Sequence, residues 1–279
     1  MSNYTAELNI AKQAAKSAAE IIKKYQRDRN FSVDYKGKND LVTEVDIKAE
    51  QKVLSVIEKE FPDDHILAEE TGGELRLPEE RTWLVDPIDG TTNFTHGFPV
   101  YCVSIALWEQ KEPKMAVVLE VSGGEIFTAL AGKGAYLDGN PITVSKLSDP
   151  KDALVGTGFP YNDMSLVDNY LKFFRMLMDN IRGVRRPGAA SYDLCCVASG
   201  RFDGFYEYAL NPWDVAAAAL IVKEAGGKVS DWQGGDDWLF GERIVAGNPV
   251  MHDFLLKEIS NYFEEGEIDT PYKEKRDIT

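Results

Sequence analysis

The chain has 279 residues, 44% of them hydrophobic, and its 31 basic against 46 acidic side chains leave a net charge of −15. That is enough apolar material for a large core, and the charge disfavours nucleic acid or an anionic membrane surface as a general partner. Three cysteines in neither zinc-site nor disulfide-framework spacing point to a reducing cytoplasm, and no run is long and apolar enough to read as an export signal or a membrane span.

In chain order, Tyr4, Leu8, Ala11, Ala15, Ala18, Ile22 and Tyr25 recur in steps of four and three, which predicts an opening helix with a closely packing alanine face. A turn over Gly37 to Asp40 follows. Thr43 with Asp46 three residues on predicts the start of a second helix, its apolar face carried by Ile47, Leu54, Ile57 and Phe61 and its end set by Pro62. From Thr82 to Val144 short apolar or alternating runs predict a mainly antiparallel sheet, with Asp138-Gly139 as a hairpin turn. A polar stretch with Pro150 is the expected boundary. Beyond it, strand-like runs such as Ala153 to Thr157 and Ile244 to Ala246 alternate with helical stretches near 166–178, 192–198, 215–224 and 252–263, an α/β layout. The polar end of the chain lacks apolar period and reads as loose.

The segment Asp86-Pro87-Ile88-Asp89-Gly90-Thr91-Thr92-Asn93-Phe94 follows the apolar run Trp83-Leu84-Val85. A strand that ends in two carboxylates and turns through Pro87 and Gly90 aims several oxygens at one point, as a hard divalent cation requires. Gly90 permits close backbone approach, and a helix starting there would offer amides to a phosphate. Asp89-Gly90 alone would be an ordinary turn, but a turn requires neither two acids nor a threonine pair. Glu69 and Glu70 leave another apolar run, Ile66-Leu67-Ala68, with solvated loop acids as the alternative. Asp214 precedes an apolar helix and could equally be its N-cap; Asp46 could equally complete a capping box. Acids at element ends, with His65, His96 and His252 in no metal-like spacing, favour oxygen-ligated Mg²⁺ over zinc.

DPIDGTTNF, the earlier Glu69-Glu70, the later Trp213-Asp214 and Glu224-Ala225-Gly226-Gly227 stand in the order of the inositol monophosphatase signature, and the chain resembles that family from Lys36 to about Asn248. The resemblance implies a mixed α+β, layered αβαβα sugar-phosphatase fold of two subdomains. Residues 1–147 would form an N-terminal α+β half with most metal ligands, 148–265 a C-terminal α/β half completing the site, and 266–279 a loose tail. It implies two or three Mg²⁺ per site held by Glu69, Asp86, the Ile88 carbonyl, Asp89 and Asp214. Asp46 and Thr91 would orient the attacking water. The substrate would meet Glu69, Ile88, Asp89, Gly90, Thr91, Gly188, Ala189, Ala190, Glu207 and Asp214.

The activity implied is hydrolysis of inositol monophosphate or a similar polyol or sugar phosphate by a cytoplasmic, lithium-sensitive homodimer, with no nucleic acid or membrane partner. Fructose 1,6-bisphosphate, 3′-phosphoadenosine 5′-phosphate and NADP are the alternative substrates of related branches. A cation-binding regulatory protein on the same fold is the non-enzymatic alternative. Ala218 stands where the family commonly has glycine, and Arg185 and Arg186 suit either a second phosphate or a subunit interface.

Overall fold

Alanine at each turn lets two helices lie close together, and α1 (Thr5–Asp28) buries Ala11, Ala14, Ala15, Ala18 and Ile22 beside α2 (Glu44–Glu60). The structure, a computed structural model, describes residues 4–37, 40–72, 76–161 and 164–263, so the tail expected to be loose lies outside the described residues. Helix α2 starts as its capping box predicts, with the Thr43 amide donating to Asp46 Oδ2 at 2.8 Å. Its buried face differs from the expected one. Ile47 is 45% exposed, while Val45, Asp46, Ala49, Glu50, Val53 and Ile57 point inward. Two acids spaced four apart share that inner face, so apolar residues alone misplace its phase. Between the helices lies a hairpin of β1 (Val33–Gly37) and β2 (Asp40–Thr43), of which the sequence showed only the turn.

The next strands form one seven-stranded sheet in sequential order: β3 (His65–Ala68), β4 (Thr82–Asp89), β5 (Cys102–Glu109), β6 (Glu112–Glu120), β7 (Ile126–Leu130), β8 (Ala135–Leu137) and β9 (Asn140–Ile142). Only β3 and β4 pair in parallel. The period of two sorts β5 between two cores. Val103, Ile105 and Leu107 pack with α1 and α2, and Cys102, Ala106 and Trp108 pack on the other side.

The second half contributes β10 (Leu154–Thr157), β11 (Gly183–Arg185), β12 (Gly204–Tyr208), β13 (Lys228–Ser230) and β14 (Arg243–Gly247), in the order β11-β10-β12-β14-β13. Strand β10 runs parallel to both neighbours, and β14 runs antiparallel to both of its own. A short α3 (Thr91–His96) follows β4. Helices α5 (Ala190–Ala198) and α6 (Pro212–Glu224) lie between the two sheets, and α4 (Val167–Asn180) and α7 (Pro249–Tyr262) cover the far face of the five-stranded sheet. A helix between two sheets must be apolar all round; accordingly every residue of α6 from Val215 to Val222 is buried. Ala218, fully buried there, fits without the glycine common at that position. The result is the layered αβαβα arrangement. Among the described residues no helix is long and apolar enough to cross a membrane.

Candidate functional site

Strand β4 does not stop at Val85. It runs on to Asp89, and its pairing with β5 slips there, Asp86 lying opposite Ser104 and Asp89 opposite Cys102. Such a bulge kinks the strand and re-aims its side chains. Asp86 Oδ1 accepts the Ile88 amide at 3.0 Å, which fixes the Pro87–Ile88 peptide just ahead of the Ile88 carbonyl. Gly90 then turns the chain with φ 94°, and a Cβ there would lie 3.0 Å from the Val100 carbonyl oxygen and 3.2 Å from that of Gly188. Only glycine meets both demands, and α3 begins at Thr91.

Glu69, Asp86, Ile88, Asp89, Gly90 and Thr91 form one wall of a pocket of about 150 Å³; the opposite wall brings Gly188, Ala189, Ala190, Glu207 and Asp214 from the second half of the chain. Of the residues to which the resemblance assigns a metal, water or substrate role, only Asp46 does not line it. Asp46 reaches it through Thr91, whose Oγ1 lies 3.0 Å from Asp46 Oδ1 and 3.0 Å from the Ile88 carbonyl oxygen. The hydroxyl has one proton to give, and an ionised carboxylate is the stronger acceptor. A larger cavity, about 570 Å³ beside Trp108 and Trp238, shares no lining residue with this pocket.

The charges in the pocket oppose one another. Burial, then the neighbouring Glu69, Asp89 and Asp214 carboxylates, push Asp86 well above the usual carboxylate range. Burial raises Asp89 to about 6 against hydrogen bonds from Ser191 and Ala190. Burial also raises Asp46, opposed by Thr43 and Thr91, and it raises Glu207 to about 8, opposed by Arg186. Carboxylates and a carbonyl, without histidine or cysteine in the lining, make the donor set of a hard divalent cation. Among the described residues no three acidic, histidine or cysteine side chains close into a finished cage. The residues fit such an ion.

Several supports were not singled out in the sequence. Glu50, 1% exposed on α2, accepts the amides of Glu70 at 2.7 Å and Thr71 at 2.8 Å and so holds the turn that carries Glu69. Its spacing of four from Asp46 was the available signal. Asn93 Nδ2 donates to the carbonyls of Val100 at 2.8 Å and Pro187 at 2.9 Å, tying the Gly90 turn to the Gly188 loop. Asp89 is tethered to the start of α5: the Ala190 amide donates to Oδ1 at 3.2 Å and the Ser191 amide to Oδ2 at 2.7 Å, joined by the Ser191 hydroxyl. Asp214 is not the N-cap of α6. Asn211 is, and Asp214 accepts its amide at 2.8 Å from the third helical position. Arg186 lines the pocket, whereas the Arg185 guanidinium donates to the Val184 carbonyl outside it. His65 and His96 are exposed and His252 packs beside Ser230, away from the carboxylates.

Residues 3–264 match the family described as the inositol monophosphatase family. The chain is similar to the Nus factor SuhB of Pseudomonas aeruginosa, 46% identical over 90% of this chain and 95% of that one. Its fold is similar to the crystal structure of the extragenic suppressor protein suhB from Bartonella henselae, with a TM-score of 0.88, 36% identity, and coverage of 93% of this chain and 100% of that one. It is also similar to the inositol monophosphatase from Anabaena, with a TM-score of 0.81, 34% identity, and coverage of 95% and 99%.

Proposed function

The chain belongs to the inositol monophosphatase family, and from that premise we propose that it is a Mg²⁺-dependent phosphomonoesterase acting on inositol monophosphate or a similar polyol or sugar phosphate. The observation that carries this reading is the meeting of Glu69, Asp86, the Ile88 carbonyl, Asp89 and Asp214 in one pocket beside a Thr91–Asp46 hydrogen bond. Bound there, Mg²⁺ would neutralise phosphate charge and acidify the attacking water. Thr91 Oγ1 takes that water's proton while its own passes to Asp46 Oδ1. Burial suits Asp46 to the task, since a raised pKa makes it the better base. Glu207 faces the hydroxyls of the alcohol, and the Gly188 to Ala190 loop closes over it.

On the division at residue 148, Asp214 and Glu207 complete from the second half a site begun in the first. A homodimer belongs to the same reading, and three buried free thiols support a cytoplasmic setting. Lithium inhibition belongs to the same reading. Phosphate release from a panel of polyol, sugar and nucleotide monoesters, with and without Mg²⁺, tests it. No release from any of them sinks the enzyme assignment, and a preference for fructose 1,6-bisphosphate, 3′-phosphoadenosine 5′-phosphate or NADP reassigns the substrate.

The relatives' name supports a second reading, a Nus factor on the same fold. At a net charge of −15 it would act through protein surfaces rather than by general attraction to nucleic acid. Replacing the chromosomal gene with one encoding Asp89→Asn separates the two readings: a phenotype matching gene deletion ties function to the pocket, and a wild-type phenotype favours the Nus role.

A further inference from the structure

Gly158 immediately follows β10 in the pocket wall. Its φ lies outside the left-handed region, so its conformation does not call for glycine. Space does. A Cβ at this position would lie 1.7 Å from Glu207 Oε1, 2.1 Å from Cδ and 2.4 Å from Oε2. The Glu207 carboxylate occupies the volume that any side chain at 158 would need. The strands lead to this contact, because Thr157 of β10 pairs with Tyr206 of β12 and the next residue in each is Gly158 and Glu207.

The backbone at Gly158 has little room to retreat. Tyr170 donates its hydroxyl to the Gly158 carbonyl at 2.8 Å, Thr157 Oγ1 donates to the Tyr206 carbonyl at 2.9 Å, and Thr157 and Tyr170 are fully buried. What yields to an added methyl is the end of the flexible glutamate. Arg186, which lines the same pocket and attracts Glu207, would draw the displaced carboxylate toward itself.

We infer that Gly158 is the specificity-determining position of this pocket: lacking a side chain, it seats the Glu207 carboxylate where it can receive the hydroxyls of a polyol phosphate. The inference rests on the phosphatase reading above. It adds that a larger residue at 158 shifts the site toward phosphate esters whose alcohol presents no hydroxyls, without touching the metal carboxylates or the Thr91–Asp46 pair. Gly158 acts here as a positioning residue, through Glu207.

Gly158→Ala is the test, since it adds the least. A crystal structure of the variant is expected to show the Glu207 carboxylate out of its seat with the β10 and β12 backbones in place; an unmoved Glu207 overturns the inference whatever the activity. With Mg²⁺, kcat/KM for myo-inositol 1-phosphate should fall about ten- to hundredfold relative to that for p-nitrophenyl phosphate, mainly through KM, as expected for losing one or two hydrogen bonds to the buried Glu207 carboxyl. An unchanged ratio overturns it. On a Glu207→Ala background the same glycine substitution should change the ratio no further; an equal loss there would mean general packing damage and would also overturn it. Were the parent to release phosphate from neither compound, the phosphatase reading would fall and the specificity assignment with it. That outcome is distinct from an active parent whose variant keeps its selectivity.

Discussion

Asp89→Asn removes a charge that burial disfavours, and its effect on the metal-free protein can be worked from the site. The carboxyl of Asp89 is raised from 3.8 to about 6 in the fold, about two pH units at ~1.4 kcal/mol each. The folded protein therefore carries ~3 kcal/mol of ionisation cost once Asp89 is charged. The direction with pH follows from where the proton sits. Below 3.8 both folded and unfolded chains hold it, and Asp89 contributes nothing. Between 3.8 and about 6 the folded chain holds a proton that the unfolded chain has released, so stability falls as pH rises. Above about 6 the full cost stands.

Asparagine escapes that cost but surrenders an acceptor. With its oxygen turned to the Ser191 amide, its NH₂ faces the Ala190 amide that now donates at 3.2 Å, a loss of about 1–3 kcal/mol. In EDTA the variant should be equal to the parent or up to ~2 kcal/mol more stable at pH 8, and less stable than the parent at pH 4. At ~2–4 °C per kcal/mol, melting curves at the two pH values resolve this reversal. Added Mg²⁺ should raise the parent's melting temperature by RT ln(1 + [L]/Kd) divided by the unfolding entropy, and the variant's by much less. A variant–parent difference that does not change between pH 4 and pH 8, or a variant with the parent's full Mg²⁺ shift, would refute the reasoning and leave Asp89 a turn residue.

Thr91→Ala should reduce turnover by about 10²–10⁴-fold with little change in the Mg²⁺ concentration giving half-maximal rate; parallel losses in both would make Thr91 a support of the metal site instead. Glu50→Gln keeps one of two acceptors under the Glu69 turn, so the half-saturating Mg²⁺ concentration should rise about 10–100-fold while turnover at saturating Mg²⁺ stays within a few-fold of the parent. An unchanged Mg²⁺ requirement would reduce Glu50 to a packing residue. Ala218→Gly, at a fully buried position of α6, should cost about 1 kcal/mol of stability or somewhat more in denaturant unfolding and leave kcat/KM alone; equal stability would mean that the helix relaxes around the missing methyl.

Much of this protein was legible because the deciding interactions are local. The alanine spacing of α1, the Thr43–Asp46 capping box and the Asp138-Gly139 hairpin each depend on neighbours a few residues away, and each appears where its pattern stands. The run from Asp86 to Thr91 likewise builds its own bulge, turn and helix start. The phase of α2 was not legible, because Asp46 and Glu50 point inward to meet Thr91 and the Glu69 turn, partners that neither helix propensity nor hydrophobicity reveals.

The sequence alone thus determined most of the helices and the longer strands, and that acidic residues stand at the ends of several of them, since both follow from backbone preference and short-range spacing. Tertiary structure decided which of those acids share one pocket, that Asn93 joins the Gly90 turn to a loop 94 residues away, and that Gly158 is empty so that Glu207 can be seated. Those facts depend on strand register and on two sheets closing around α5 and α6, which place side chains from distant parts of the chain within a few ångströms of one another and which no local pattern records.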